Sequence, residues 1–326
     1  MNADEIGSPA LSIVIAAFNA VRTLGAQLEV LSHQAASVPV QILVCDNGSS
    51  DGTADLVREW MRRHPAIELV DASARRGPAA ARNVGALRAQ APLLAFCDAD
   101  DVVAEDWIAT MYAAVRRDDF VAGVATRLRL GSSPHDPRYY EFGPYRISRF
   151  PHLLAAAANN LGVRRSVFEG VGGFDESLRT GEDDDLCWRI QLAGHRLVTH
   201  PEVTITAGAR DGLPAIFAQG FGYGRGDRQL LHKYARIIAA LENGDKIPRG
   251  LVGDDERLID SRADEVPAGT GGRVARSVKR IARLRRPSDL ADVAHRWGVA
   301  TGQRFGRLDR TAPQLDPERV LGGKAA

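Results

Sequence analysis

An α/β fold with a mostly parallel central sheet and helices on both faces is predicted by three features of this sequence. Short continuous apolar runs recur at residues 11–16, 41–46, 67–70 and 93–97. Helical periodicity fills the intervals, and turn-forming residues mark the junctions. Strand and helix alternating at this spacing argue for parallel strands joined by helical crossovers, and ligands on such sheets sit beyond the carboxyl ends of the strands.

In chain order, LSIVIA (11–16) has the unbroken apolar character of a strand covered on both faces. Residues 20–36 read as a helix, with Leu24, Leu28 and Leu31 close to one face. QILVCD (41–46) is the next buried strand, and the turn formers NGSSDGT offer Asp51 or Thr53 as an N-cap for the helix ADLVREWMRR. IELV (67–70), a helix from Pro78 to about Gln90, and LLAFC (93–97) complete the alternation. Their ends bring Phe18, Asn19, Asp46, Asn47 and Asp98 to Asp101 onto one rim.

After residue 125 the pattern loosens. Residues 131–150 carry Tyr139, Tyr140, Phe142 and Tyr145 beside Arg138, Arg146 and Arg149, and are read as an irregular, mobile acceptor lid. A strand-like NLGVRR (160–165), the stretch VGGFDE, a helix from about Glu182 to Ala193 and a largely helical 213–241 follow. A catalytic domain is expected over 8–242, in halves 8–125 and 126–242. A linker over 243–272 and a basic amphipathic helical segment over 273–326 are expected to close the chain, with helices near 273–286 and 288–305.

The 326 residues are 44% hydrophobic and 25% charged, as in ordinary globular proteins. A net charge of +1 leaves no global electrostatic footprint for nucleic acid. MNADEIGSP is unlike a secretory signal, and no apolar run approaches the ~18 residues of a membrane span, so the cytoplasm is the expected location. The 3 cysteines lack metal-ligand spacing and read as buried reduced thiols.

Two acidic groups stand out. FCDADD (96–101) stacks Asp98, Asp100 and Asp101 at the end of a buried strand. A solvated turn accounts for them, as do oxygen ligands for Mg²⁺ or Mn²⁺, and the strand-end position favours the second reading. Glu182-Asp183-Asp184-Asp185 opens a helix, where the dipole and unpaired N–H groups stabilise carboxylates. That environment also keeps an aspartate ionised, as a general base requires. Arg75, Arg76, Arg82, Arg164 and Arg165 are surface charges or partners for a pyrophosphate. His200 reads as structural ahead of metal-ligating.

Together, SIVIAAFN (12–19), VCDNGSSDGT (44–53), RGPAAARNVGA (76–86), FCDADD (96–101), VGGFDESL (171–178) and GEDDDLCWRIQLAGHRL (181–197) resemble the inverting glycosyltransferases of family 2, which carry the GT-A fold. The resemblance covers roughly residues 11–205 and implies a nucleotide-diphosphate sugar donor, an acceptor hydroxyl and a Mg²⁺ or Mn²⁺ cofactor. It places Ala17, Asn19 and Asn47 at the nucleotide edge, Asp46 on the donor base and Arg82 near the nucleotide. Asp98 and its neighbour Ala99 would meet the ribose or a metal-bound water, and Asp100 would bind the metal. Asp183 matches the general base, with Glu182 second, and Asn160, Arg164 and Arg165 fall near donor sugar and acceptor. The family strand order puts Cys45 and Cys97 two strand spacings apart, about 9–10 Å and beyond disulfide reach. Many relatives end the strand after the base helix with a histidine; here Ala207 stands there, so another group replaces it or the metal has one protein ligand fewer.

Gln219 is followed by Gly222 and Tyr223 rather than the Gln-x-x-Arg-Trp of processive synthases, so a non-processive enzyme is expected, in cell-surface polysaccharide, glycolipid or natural-product glycosylation. A sugar-nucleotidyltransferase needs a glycine-rich basic loop after the first strand, where AAFNAVRTL stands. A nucleotide-sugar-binding protein with impaired catalysis is the remaining alternative. GFGYGRG (220–226) follows no strand and reads as a site of close helix packing. In the last segment, Arg273, Arg276, Lys279, Arg280, Arg283, Arg285 and Arg286 precede a stripe of Leu290, Val293, Ala294 and Trp297. That stripe either packs on the catalytic domain or lies against the anionic inner face of the cell membrane.

Overall fold

A computed structural model describes residues 8–128, 139–147, 150–208, 212–244 and 287–321. The chain starts with β1 (Leu11–Ala17), α1 (Leu24–Gln34), β2 (Val40–Asp46), α2 (Thr53–Arg63), β3 (Ile67–Asp71), α3 (Pro78–Arg88) and β4 (Leu93–Asp98). Next come β5 (Val102–Val103), α4 (Trp107–Arg117), β6 (Phe120–Leu128), β7 (Tyr139–Phe142), β8 (Tyr145–Ile147), β9 (Phe150–Ala155) and β10 (Asn160–Arg164). Helices α5 (Arg165–Gly170) and α6 (Glu182–Leu192), strand β11 (Val198–Thr206), and helices α7 (Leu213–Lys233) and α8 (Ala235–Glu242) follow. Helices α9 (Pro287–Phe305) and α10 (Pro317–Leu321) complete the described chain.

The main sheet has the order β3-β2-β1-β4-β10-β6-β11-β5, with β7 added to β6. Strands β3, β2, β1 and β4 are parallel, and β11 is parallel to β6. β10 runs antiparallel between β4 and β6. Alternation along β1 explains the two-sided core: Leu11, Ile13 and Ile15 pack with α1, α2 and α4, whereas Val14 packs with α3 and α6 on the other face. Cys45 lies beside Ala16 and Cys97 beside Ile15, so β1 separates them, and all three cysteines are buried and unpaired. Burial, with Glu68 adding to it, pushes the Cys45 thiol up to about 12, so it stays protonated.

Several boundaries differ from the sequence reading. Gly52, in the left-handed region at φ 94°, precedes α2, while Asp51 accepts the backbone N–H of Thr53. Arg165 opens the short helix α5 rather than ending a strand. The stretch 131–150, read as an irregular lid, contains β7, β8 and the first residue of β9, and only its residues 131–138 and 148–149 lie outside the described residues. Most of the expected linker and the expected helix near 273–286 also lie outside them.

The C-terminal helix α9 packs along α7 through backbone-to-backbone contact. A Cβ at Gly224 would fall 2.0 Å from the carbonyl oxygen of Val299, and one at Gly302 would fall 2.2 Å from that of Phe221. Only residues without side chains permit that approach, which is the packing role expected of the glycines near 220–226. Further along, the N–H of Leu315 donates to the carbonyl of Lys233 (2.9 Å), and Leu315, Val320 and Leu321 pack on the main core.

Candidate active site

The rim at the carboxyl ends of β1, β2 and β4 is built first from backbone. Ala17 is buried beside Asp46 at the last register position of β1 and β2. Asn19 adopts a left-handed conformation (φ 50°), donates its N–H to Ser49 Oγ and accepts the N–H of Ser50 on Oδ1, both at 2.9 Å. These bonds lock the loop after β1 to the loop after β2. Asp46 caps its own turn by accepting from the N–H of Ser49 (3.3 Å). The Asn47 amide donates to the carbonyls of Ala72 (2.6 Å) and Arg75 (2.8 Å) and accepts from the N–H of Gly77 (2.8 Å). Asn47 therefore shapes the loops from within.

Arg82, projecting from α3, joins two acidic groups that lie far apart in sequence. Its Nη2 donates to Asp98 Oδ1 (2.6 Å) and its Nη1 to Glu182 Oε1 (3.0 Å), and the residue is only 5% exposed. Burial alone would lower the guanidinium pKa; Asp98 and Glu182 outweigh it and the net shift is upward. Glu182 is pushed up to about 7, first by burial and then by Asp183, with Arg82 opposing.

The four carboxylates that open α6 take four different environments. Glu182 is bound by Arg82. Asp184 is buried and accepts the phenolic O–H of Tyr145. Asp185 is fully buried between Arg189 Nε (2.7 Å), Lys233 Nζ (2.7 Å) and the Tyr234 hydroxyl (3.0 Å). Asp183 is the half-buried one, accepting from the N–H of Asp184 (3.0 Å) and, more loosely, from that of Ala158 (3.4 Å). Successive residues of a helix turn by about 100°, so one acidic run serves four directions.

In the turn after β4, Ala99 is buried, while Asp98 and Asp100 are half-buried. Asp101 turns inward: Oδ2 accepts from Asn159 Nδ2 (2.7 Å) and Oδ1 from the N–H of Gly208 (2.8 Å). Burial, and next the nearby Asp98, push the Asp101 carboxyl up to about 7. Gly208 must lack a side chain, since a Cβ there would lie 2.2 Å from the carbonyl oxygen of Asp100. Ala207, where relatives are expected to carry histidine, is buried and bonded through its N–H to the carbonyl of Thr126 (2.8 Å).

Of the three residues expected near the donor sugar, Asn160 stays beside Cys97 at the rim end of β4 and the two arginines lie at its other end. Asn160 is buried and accepts from Trp107 Nε1 (2.8 Å) while donating to the carbonyls of Val203 (2.9 Å) and Val124 (3.2 Å), so it braces the sheet. Arg164 lies opposite Leu93, at the far end of β4 from Asp98, and pairs with Asp119 (2.6 Å). Arg165 pairs with Glu169 (2.8 Å) and donates to the carbonyl of Ala89 at that same far end. Because β10 runs antiparallel to β4, the two arginines leave the rim. His200 is buried between Asp118 (3.0 Å) and Glu202 (2.9 Å), near the start of β11 and the end of α4. Asn159, absent from the expected site, carried no signal beyond its place before a strand.

Among the described residues no three His, Cys, Asp or Glu side chains converge closely enough to hold a metal by themselves. The donors on the turn after β4 are carboxylate oxygens, which suit Mg²⁺ or Mn²⁺ completing their shells from water and phosphate.

A mostly parallel sheet with carboxylates at the strand ends and at the start of α6 has its acidic groups where α/β enzymes bind their ligands. The sequence profile of Glycosyl transferase family 2 matches residues 12–176, and the chain belongs to that family of glycosyltransferases. It is 29% identical over 236 residues to the succinoglycan biosynthesis protein ExoA of Rhizobium meliloti, a match spanning 69% of this chain and 71% of that protein. It is 30% identical over 195 residues to the pre-mycofactocin glycosyltransferase of Mycobacterium tuberculosis, spanning 57% of this chain but only 41% of the relative. The fold matches that of a mannosyltransferase from Pyrobaculum calidifontis solved in complex with GDP-Man and Mn²⁺, with a TM-score of 0.61, 17% identity, and coverage of 91% of this chain and 88% of that one.

Proposed function

We propose that this glycosyltransferase moves a sugar from a nucleotide-diphosphate donor to an acceptor hydroxyl with inversion, one residue per encounter. The observation that carries this reading is the Arg82 bridge. It brings the carboxylates at the end of β4 to within one guanidinium of the acidic start of α6, where Asp183 is the half-buried member of the run. In this scheme Asp46 accepts from the donor base and Asp98 from the ribose. Asp183 takes the acceptor hydroxyl proton as that oxygen bonds to the anomeric carbon. The bond from that carbon to the diphosphate oxygen breaks, and its electron pair departs with the nucleoside diphosphate. Mg²⁺ or Mn²⁺, held by Asp100 with Asp98, supplies charge stabilisation of that leaving group. The named relatives are a succinoglycan biosynthesis protein and a pre-mycofactocin glycosyltransferase, which supports a saccharide or small-molecule acceptor, with a lipid-linked one as the third choice.

Peripheral contact with an anionic membrane face belongs to the same proposal. Among the described residues, six of the ten exposed large apolar side chains lie on α7 and α9: Leu213, Phe217, Tyr223, Leu290, Trp297 and Phe305. Arg296 and Arg304 stand beside Trp297 and Phe305, the pairing of aromatic and basic groups that suits a lipid interface. No helix among the described residues is long and apolar enough to cross a membrane.

A panel of UDP-, GDP-, dTDP- and CDP-sugars, with and without Mn²⁺, tests the catalytic reading by thermal shift and turnover. One donor should give both responses. Asp183→Asn should keep the thermal shift and lose ~10²–10⁴ in turnover. A panel without any response, or wild-type turnover in Asp183→Asn, would overturn it; binding without even slow donor hydrolysis would mean an impaired enzyme.

A further inference from the structure

We propose that Asn159 is a positioning residue: the turn between β9 and β10 is the spacer that holds the metal-side carboxylates and the base in register. The inference rests on the reading of Asp183 and Asp100 given above. Two consecutive residues of this turn and the first residue of β10 reach three different parts of the molecule. The N–H of Ala158 donates to Asp183 Oδ2 (3.4 Å). The Asn159 amide donates to Asp101 Oδ2 (2.7 Å). Asn160 fixes the turn to the scaffold through Trp107 on α4, Val124 on β6 and Val203 on β11. Consecutive Cα atoms are about 3.8 Å apart, so the two carboxylate groups are referenced to adjacent positions on one braced backbone.

The geometry around Asp101 argues that its task is placement rather than ligation. It is 4% exposed and clamped from two sides, by Asn159 and by the N–H of Gly208 at the end of β11. Asp100, the next residue back, remains half-buried, with its carbonyl oxygen 2.2 Å from where a Cβ on Gly208 would stand. Pulling Asp101 inward therefore sets how far Asp100 projects. Releasing the Asn159 bond lets the turn after β4 move relative to Ala158 and the base. A displacement of about 1 Å between reacting groups is enough to cost on the order of 10² in rate.

Asn159→Asp preserves size and removes the N–H donor, and Asn159→Ala removes the whole amide. Asn159→His returns an N–H donor at a similar distance from the backbone. The first two variants should lose ~10–10² in kcat, using the nucleotide-sugar to which the wild-type enzyme responds. The thermal shift by the matching nucleoside diphosphate with Mn²⁺ should stay within about twofold in apparent affinity, and Asn159→His should recover most of the lost kcat. Wild-type kcat in Asn159→Asp would overturn the proposal. So would parallel loss of kcat and nucleotide affinity in all three variants, or a histidine variant no better than alanine. Asp183→Asn run alongside keeps the two ideas apart. Its inactivity with a fully active Asn159→Asp rejects the spacer alone, whereas its full activity rejects the assignment of the base.

Discussion

Replacing Arg82 by methionine removes the one buried cation between two acidic groups, and the consequence can be worked from the structure. Glu182 is 6% exposed and its bond to Arg82 is 3.0 Å, so deleting the arginine strands a buried carboxylate. Breaking a buried ion pair from one side typically costs about 3–5 kcal/mol. The Asp98 side chain is 32% exposed and can be rehydrated, so its share is closer to the ~0–1 kcal/mol of a surface pair. A melting temperature roughly 6–20 °C lower follows for a domain of this size. The deficit should depend on pH in a defined sense. Glu182 has a folded-state pKa of about 7 against an ordinary 4.5, so its stabilising contribution is complete below about 4.5 and is lost as pH rises to about 7. Arg82 lowers that folded-state value, and without it the loss continues to higher pH. The gap between wild type and Arg82→Met should therefore widen above pH 7, by up to about 2 kcal/mol at pH 8.5 relative to pH 6. Urea unfolding at the two pH values measures it. The double variant Arg82→Met/Glu182→Gln, which removes both charges, should regain most of the stability lost by the single one. A gap of equal size at both pH values, or a double variant no more stable than the single, would refute the charge-pairing argument.

Asp100→Ala should abolish turnover and the Mn²⁺-dependent part of the donor-induced thermal shift together, while unfolding without ligand stays near wild type. Gly224→Ala places a Cβ 2.0 Å from the Val299 carbonyl oxygen and 2.8 Å from the Gln303 nitrogen, both backbone atoms that can yield only by parting the helices. A loss of ~1–3 kcal/mol in urea unfolding is expected, and an unchanged midpoint would dismiss the interlock of α7 and α9. Trp297, 57% exposed, should matter for lipid contact but little for folding. Trp297→Ser should weaken co-sedimentation with phosphatidylserine vesicles at low salt while leaving the melting temperature within a few degrees, and equal recovery of both proteins in the supernatant would dismiss membrane docking.

Local chemistry made one half of this molecule readable and left the other half dark. β1, β2 and β4 are apolar runs ending in Asp or Ala at one rim, and each strand's own residues carry that information. The family resemblance puts Asn160, Arg164 and Arg165 near donor sugar and acceptor, and nothing within NLGVRR states the direction of the strand. Antiparallel insertion between β4 and β6 sets Asn160 beside Cys97 and sends the arginines to the opposite edge. The Arg82 bridge to Glu182 spans 100 positions, and no periodicity reports a contact of that separation. The acidic run at 182–185 shows the limit most clearly. As composition it is four interchangeable carboxylates at a helix N-terminus, and the dipole argument treats them alike. The fold distinguishes them by what each direction meets: Arg82, Tyr145, and the Lys233–Tyr234 pair take Glu182, Asp184 and Asp185. Each of those partners lies on a different element, and each draws its carboxylate inward. Asp183 is set apart because, of the four, it keeps part of its surface in solvent while backbone N–H groups of Asp184 and Ala158 hold its carboxylate, the accessibility that the proposed base requires to meet an acceptor hydroxyl.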